Sequence, residues 1–162
     1  MRTIFYAALA SLIVAATARA QATPRRAESR ETFVAVLSGA YEVPAVETPA
    51  TGTAELTLVG SRLRYRVNVA SLNDVTGVYI HIGRAGEERP AVADLLEGPE
   101  VVPVSGLAAS GTLRTRDLHG TTMRKLLRAL RADDAYVTVH TREHSGGELR
   151  GQLRIQPLVA SR

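Results

Sequence analysis

Two short runs of alternating apolar and polar residues near the end of the chain constrain its fold most. In residues 136–141, Val137 and Val139 share one face of an extended chain, and Thr138 and His140 share the other. After a Ser-Gly-Gly turn, residues 149–155 alternate leucine or isoleucine with charged and amide side chains. Apolar residues with a period of two, bounded by glycines, predict an antiparallel β-hairpin with one buried face.

The same period recurs in other segments that are separated by turn signals. These segments are residues 32–38, 53–59, 62–70, 75–83, 92–96 and 110–115, and Gly60 and Ser61 form a tight turn between the second and the third. Residues 42–52 contain two prolines and end in glycine, which excludes a central strand there. Seven or eight short strands predict an all-β protein, an antiparallel β-sandwich of two sheets.

One segment has the period of a helix instead. Four apolar residues between Met123 and Leu130 follow the spacing i, i+3, i+4 and i+7, and basic residues lie between them. This pattern predicts one amphipathic crossover helix of about three turns, with Asp117 or Thr121 as its N-cap. We expect its leucine stripe to cover one end of the sheet rather than to bind a partner helix.

The first twenty residues are typical of a secretory signal peptide. Arg2 precedes an apolar run at residues 4–17, and Ala18, Arg19 and Ala20 have the small-x-small form of a cleavage site. The run is short for a membrane span, and a membrane anchor is the alternative reading. Residues 21–31 lack an apolar period and are expected to form a flexible leader, which leaves residues 32–157 as the folded domain. These features predict a periplasmic or secreted protein without a membrane span in its mature form.

The composition excludes several classes of protein. The chain has no cysteine, which excludes disulfides, thiolate metal ligands, a cysteine nucleophile and lipid attachment at a bacterial lipoprotein cysteine. The net charge of +4 reflects arginines spread along the chain rather than a focused basic patch, and there is no tryptophan to offer bases a stacking surface, so we expect no nucleic acid partner. No phosphate-binding glycine loop, Gly-x-Ser-x-Gly elbow or His-Glu-x-x-His motif is present, which disfavours an enzyme.

The histidines are the first candidates for a site. By strand parity His81 shares a face with Tyr79, and His140 faces away from the valines of its own run. If the two strands are neighbours, His81 and His140 lie side by side, and His144 reaches over from the following turn. Imidazoles with a nearby tyrosine and no thiolate would suit copper(II) or zinc.

A hydrogen-bonded network on the sheet is the alternative, and we favour it. In this network His81 and His140 would donate to carbonyls or to carboxylates, with Glu42 and Glu148 as the candidate carboxylates. Arg150 is central in its strand, so it is either solvated or the cation of a bidentate pair with Glu42 or Glu148. We favour the pair, which would be structural.

Five segments of the chain resemble the CHRD domain, a family named for chordin, the extracellular antagonist of bone morphogenetic proteins, and also found in exported bacterial proteins. In order, they are FVAVLSGAYEVP (33–44), ATGTA (50–54), YIHIG (79–83), YVTVHT (136–141) and GELRGQ (147–152). The resemblance implies an extracytoplasmic, immunoglobulin-like sandwich with no established catalytic activity.

On the matching positions, the family's polar signature falls on Glu42, His81, His140, Glu148 and Arg150. Where the family usually has His-Ile-His, this chain has tyrosine in place of the first histidine, which weakens the transfer of a metal site. We therefore expect an exported, non-enzymatic binding or structural module of the cell envelope with a protein or cell-surface partner and no cofactor. A copper- or zinc-binding protein, including a redox-active one, is the alternative.

Overall fold

The computed structural model describes residues 30–97 and 105–157, and these form one sheet of nine strands with one α-helix. The strands are β1 (Arg30–Ser38), β2 (Thr51–Val59), β3 (Arg62–Ala70), β4 (Val75–Ile82), β5 (Ala91–Glu97), β6 (Gly106–Leu113), β7 (Ala135–Thr141), β8 (Leu149–Gln152) and β9 (Arg154–Gln156). The helix α1 (Met123–Arg131) lies between β6 and β7, and short 3-10 turns cover Gly39–Tyr41 and Thr115–Asp117. The predicted signal peptide and the leader up to residue 29 lie outside the described residues.

All strand pairs in the sheet are antiparallel, in the order β5-β4-β7-β8-β1-β2-β3-β6, with β9 also beside β1. The two strands at the ends of this order, β5 and β6, approach each other. Tyr65 of β3 closes part of the gap, because its hydroxyl donates to the carbonyl of Leu95 in β5 at 3.0 Å. An isolated bridge joins Ala93 to Leu118 at the same seam. The sheet therefore curls into a nearly closed barrel.

The predicted fold class is confirmed: the described chain is all-β with one short helix. Its arrangement differs from the predicted two-sheet sandwich, because the strands belong to one continuous sheet. The join lies along one edge of β1, where Ser38 pairs with Arg150 of β8 and Val34 pairs with Arg154 of β9. In a sandwich, the hydrogen bonds between neighbouring strands would be interrupted at such a position. Here β8 and β9 both pair with β1, which keeps the sheet continuous.

The apolar core fills the interior of the barrel, and α1 closes one end of it. Leu126 and Leu130 of α1 are fully buried in this core, as the leucine stripe predicted. The N-cap prediction was wrong by one residue, since Thr122 accepts the backbone N–H of Lys125. Asp117 belongs to a separate 3-10 turn, where it accepts the N–H of Arg114 at 2.8 Å.

The first strand begins two residues earlier than its apolar pattern, at Arg30. An ion pair explains the added length, because both carboxylate oxygens of Glu31 accept from Arg131 at the end of α1, each at 2.7 Å. This contact fixes the start of β1 against the helix. No helix within residues 30–97 and 105–157 is long and apolar enough to cross a membrane.

Candidate functional site

The outer face of β4 and β7 carries the two histidines of interest. The strands are neighbours in the sheet, with His81 opposite Tyr136 and Tyr79 opposite Thr138. The other face of both strands is buried core, with Ile80, Val137 and similar residues fully enclosed. The structure thus brings together the two imidazole-bearing strands, and it places the rings outside the apolar core.

A single hydroxyl links the two imidazoles. Thr138 Oγ1 lies 3.0 Å from Nε2 of His81 and 3.1 Å from Nε2 of His140, so the two nitrogens are at most about 6 Å apart. His81 Nδ1 lies 2.7 Å from the carbonyl oxygen of Arg89, which can only accept, so Nδ1 carries the proton. Nε2 of neutral His81 then accepts from the hydroxyl, and Nε2 of His140 lies within hydrogen-bond distance of the same oxygen.

Burial favours the neutral form of both rings. Desolvation is the main cause that lowers the pKa of His81, while the Arg89 carbonyl opposes the shift. The charge of Arg150, and that of His140 when its ring is protonated, lower the pKa further. Desolvation also lowers the pKa of His140, against a backbone hydrogen bond at Ser145. Charging either ring in the folded state is therefore unfavourable.

The two lowered pKa values predict that acid destabilises the fold. Below the ordinary histidine pKa of 6.5, the unfolded chain binds more protons than the folded one, so stability falls as the pH falls. Between about pH 7.5 and pH 5.5, the thermal midpoint of the wild type should fall further than that of a His81→Gln/His140→Gln variant. Equal losses in the two proteins would contradict this assignment of the pH dependence.

Tyr136 is the centre of a stack on the same face. Its ring is parallel to that of His81, with centroids 4.7 Å apart and an interplanar angle of 3°, and the guanidinium carbon of Arg150 lies 3.6 Å from the ring centroid. Because His81 and Arg150 come from the two strands that flank β7, the tyrosine ring lies between them. Its hydroxyl accepts the backbone N–H of Arg89 at 3.0 Å.

Arg150 is almost completely buried, with 3% of its surface exposed. Its Nη2 donates to the carbonyl oxygens of Arg84 at 3.2 Å and Glu87 at 2.6 Å, so the loop between β4 and β5 covers it. The predicted bidentate pair with Glu42 or Glu148 was wrong, since among the described residues Arg150 forms no ion pair. The backbone carbonyls of Arg84 and Glu87 accept the hydrogen bonds of Arg150 that were predicted to go to a carboxylate.

The two glutamates have other partners than those predicted. Glu148 accepts the hydroxyls of Thr48 and Thr141, each at 2.7 Å, which ties the loop before β2 to β7. Glu42 is buried against Gly147, and its Oε1 receives no hydrogen bond from any described residue. Neither carboxylate bonds to a histidine, so that part of the predicted network was wrong; a carbonyl and the Thr138 hydroxyl partner the rings instead. Burial raises the pKa of Glu42, and the charge of Arg150 opposes the shift.

The remaining metal candidates lie at different distances from the pair of histidines. The ring of Tyr79 stands edge-on to His140 at 4.8 Å and to His81 at 6.5 Å between centroids. His144 lies in the turn after β7, where its backbone N–H donates to Thr141 and it borders a separate cleft with Glu143. Within the described part of the chain, no group of three or more histidine, cysteine, aspartate or glutamate side chains is arranged to hold a metal ion.

A cleft of about 600 Å³ lies beside this cluster, over the outer face of β1 and β8. We call it the β1–β8 cleft. Its walls are mainly apolar and include Val36, Tyr41 and Val43, and its polar lining includes Arg150 and Gln152. The full lining is Val34, Val36, Ala40, Tyr41, Glu42, Val43, Ala85, Gly86, Arg150, Gln152 and Arg154.

Sequence reasoning missed the apolar walls of this cleft. Val36 and Tyr41 expose 64% and 58% of their surfaces, and neither was a candidate. One signal was available: residues 33–37 are apolar at every position, so both faces of β1 are apolar although only one can face the core. An apolar outer face next to a buried arginine is the kind of surface that binds a ligand.

A comparison with known protein families identifies the family of the chain. The model of the CHRD domain matches residues 33–153, a range that contains His81, His140 and Arg150. No curated protein and no solved structure matches the chain significantly. Because the family match covers most of the chain, from β1 to the end of β8, the protein belongs to the CHRD domain family.

Proposed function

We propose that the protein is a non-enzymatic binding module that works outside the cytoplasm and holds an acidic peptide segment of a partner protein in the β1–β8 cleft. The signal-peptide pattern of residues 1–20 supports the location, and the fully partnered histidines support a structural rather than a catalytic role. The observation that carries the proposal is the state of Arg150, a buried and fixed cation that borders the cleft.

Arg150 is held in place before any ligand arrives. Tyr136 supports one face of the guanidinium, and two loop carbonyls accept from Nη2. Its Nε and Nη1 groups donate to no acceptor among the described residues. Only 3% of the surface of Arg150 is exposed, but the residue lines the cleft. A carboxylate that reaches its remaining N–H groups from the cleft would form charge-assisted hydrogen bonds, and little side-chain entropy would be lost because the guanidinium is already ordered.

The rest of the cleft fits the other parts of a peptide. Val36 and Tyr41 offer exposed apolar surface on which side chains next to the acidic residue can be buried. Oε1 of Glu42 and Oε1 of Gln152 are buried acceptors without a donor among the described residues. Since an unpaired buried acceptor is unfavourable, this wall is expected to favour a ligand with N–H groups, as a peptide backbone has.

A set of capped tripeptides tests this proposal. Leucine–glutamate–leucine should bind with a dissociation constant on the order of 1 mM, and the versions with glutamine or lysine in the middle about tenfold more weakly or worse. Chemical shifts in an NMR titration would measure both affinities and the site. Val36→Glu should abolish binding by placing a carboxylate on the apolar wall, while Leu107→Glu, which changes an exposed leucine on β6, should not.

Two outcomes would contradict the proposal. One is equal affinity for the glutamate and lysine peptides, which would show that Arg150 does not select the ligand. The other is equal binding by the Val36→Glu and Leu107→Glu variants, which would place the ligand outside the β1–β8 cleft.

A copper or zinc site is the second candidate, because Nε2 of His81 and Nε2 of His140 both lie within hydrogen-bond distance of the Thr138 hydroxyl. An ion there would have to displace the Thr138 hydroxyl, since both Nε2 atoms bond to it. Copper(II) titration of the wild type and of a His81→Ala/His140→Ala variant separates the two candidates, with visible absorption and thermal midpoint as readouts. A metal site raises the midpoint of the wild type alone, and identical responses would remove this candidate.

A further inference from the structure

The outer face of β1, β2 and β3 carries four arginines, which we call the arginine face: Arg30, Arg62, Arg64 and Arg66. All four are exposed, and none takes part in the ion pairs found among the described residues. From the sequence, we expected the arginines to be spread along the chain without forming a basic patch. The fold changes this, because it brings Arg30 from the start of β1 beside three arginines of β3.

The geometry of the arginine face is regular. Arg62, Arg64 and Arg66 alternate along β3 and point to one side, which spaces them by about 7 Å along the strand. Arg30 pairs with Val59, and Val59 pairs with Arg62, so these three form a row across the sheet. Two strand spacings separate Arg30 from Arg62, which is about 10 Å.

The surface between these arginines is concave and hydrophilic. Arg30, Arg64 and Arg66 border a groove of about 770 Å³, and two less buried hydroxyl residues, Ser110 and Thr112, also line it. Cross-strand pairing places Thr57 and Thr112 on either side of Arg64.

One carboxylate lies in the groove and reduces its charge. Glu55 is opposite Arg66, and its Oε1 accepts the hydroxyl of Thr57 at 3.1 Å. Three arginines and one glutamate leave the groove with a net positive charge, and Arg62 on the same face adds to it.

We propose that the arginine face binds a linear polysaccharide that carries sulfate or phosphate groups. Repeated anions along a chain can pair with guanidinium groups at a regular spacing, and the hydroxyls can bond to the sugar. A single-stranded nucleic acid fits less well, because base stacking needs free aromatic rings. The one aromatic residue that lines the groove, Tyr65, alternates with the arginines along β3, so its side chain points to the opposite face of the sheet, where its hydroxyl donates to Leu95. This surface is separate from the β1–β8 cleft and does not depend on the proposed peptide binding.

Binding to dextran sulfate, followed as a function of salt, tests this inference. The wild type should bind, with an affinity that falls as salt rises. Arg62→Gln/Arg64→Gln/Arg66→Gln should lower the affinity about tenfold or more at low salt and reduce the slope of log affinity against log salt by about two. The variant with lysine at the same three positions should keep most of the binding.

A matched control removes three charges from another face. Arg124, Lys125 and Arg128 are exposed on α1 and take part in none of the ion pairs of the described residues. Changing them to glutamine alters the net charge equally but should leave binding within about twofold of the wild type. Circular dichroism and thermal midpoints verify that each variant is folded.

Several results would overturn the inference. Equal losses in the β3 and α1 triple variants would show that net charge alone governs binding. No binding of the wild type to dextran sulfate at low salt would exclude the site. Tighter binding of poly(dT) than of dextran sulfate would assign the surface to nucleic acid instead. Val36→Glu should leave dextran sulfate binding unchanged, so failure of the cleft proposal is distinguishable from failure of this one.

Discussion

Replacing Gly151 with alanine is expected to destabilise the protein by roughly 3 kcal/mol or more. Gly151 lies in β8 where this strand passes β1, and an added Cβ would fall on the carbonyl oxygen of Val36. The same Cβ would lie 2.9 Å from the carbonyl carbon of Val36 and 2.8 Å from Cδ2 of Leu37. Backbone atoms cannot turn aside as a flexible side chain can, so the two strands must separate at the join that keeps the sheet continuous.

Gly146→Ala is the matched control for this prediction. Gly146 lies five residues earlier, no atom outside its own neighbours is within 4 Å of its added Cβ, and its φ is not in the left-handed region. This variant should change the free energy of unfolding by about 0.5 kcal/mol or less. Urea unfolding measures both values. Similar stabilities for the two variants would show that the close passage of β8 and β1 does not limit the fold.

Replacing Arg150 with methionine is expected to destabilise the protein by about 2–4 kcal/mol. The change removes the charge-assisted hydrogen bonds to the carbonyls of Arg84 and Glu87, together with the contact on the Tyr136 ring. Methionine fills similar space, but the two carbonyls lose their donor. The loop between β4 and β5 should therefore become the first part of this face to open, which amide hydrogen exchange would detect.

A second measurement separates the loss of charge from a general loss of stability. The charge of Arg150 lowers the pKa of His81, so Arg150→Met should raise the pKa of this imidazole, as followed by NMR titration. Arg154→Met is the control, because Arg154 is exposed and also borders the cleft. It should leave both the stability and the pKa of His81 nearly unchanged. Equal effects of the two substitutions would refute the special role of Arg150.

The strands were the part of the fold that the sequence predicted best. The predicted segment 62–70 is β3 as observed, and most other predicted strands differ mainly at their ends. The predicted run 149–155 is divided at Leu153 into β8 and β9. Strand parity also placed His81 and His140 outside the apolar core. These predictions succeeded because alternation is a local property: successive side chains of a strand point to opposite faces, so one buried face imposes a period of two.

The partners of the polar residues could not be predicted in the same way. Glu148 bonds to Thr48, a hundred residues away along the chain, and Arg150 bonds to a loop 63 to 66 residues away. A carboxylate is the usual expectation for a buried guanidinium, yet here backbone carbonyls supply the acceptors. No local pattern in the sequence indicates that the loop between β4 and β5 folds over this face.

The all-β class, the helix α1 and the side of each strand that faces the core follow from the sequence alone, because they depend on side-chain direction and on the removal of apolar surface from water. The closure of the strands into one nearly continuous barrel and the position of Arg150 beside the β1–β8 cleft became visible only in the folded chain. The same holds for the position of Arg30 beside the arginines of β3. The physical reason is that strand order and loop position depend on contacts between distant segments, and many arrangements of the same amphipathic strands bury a similar apolar area.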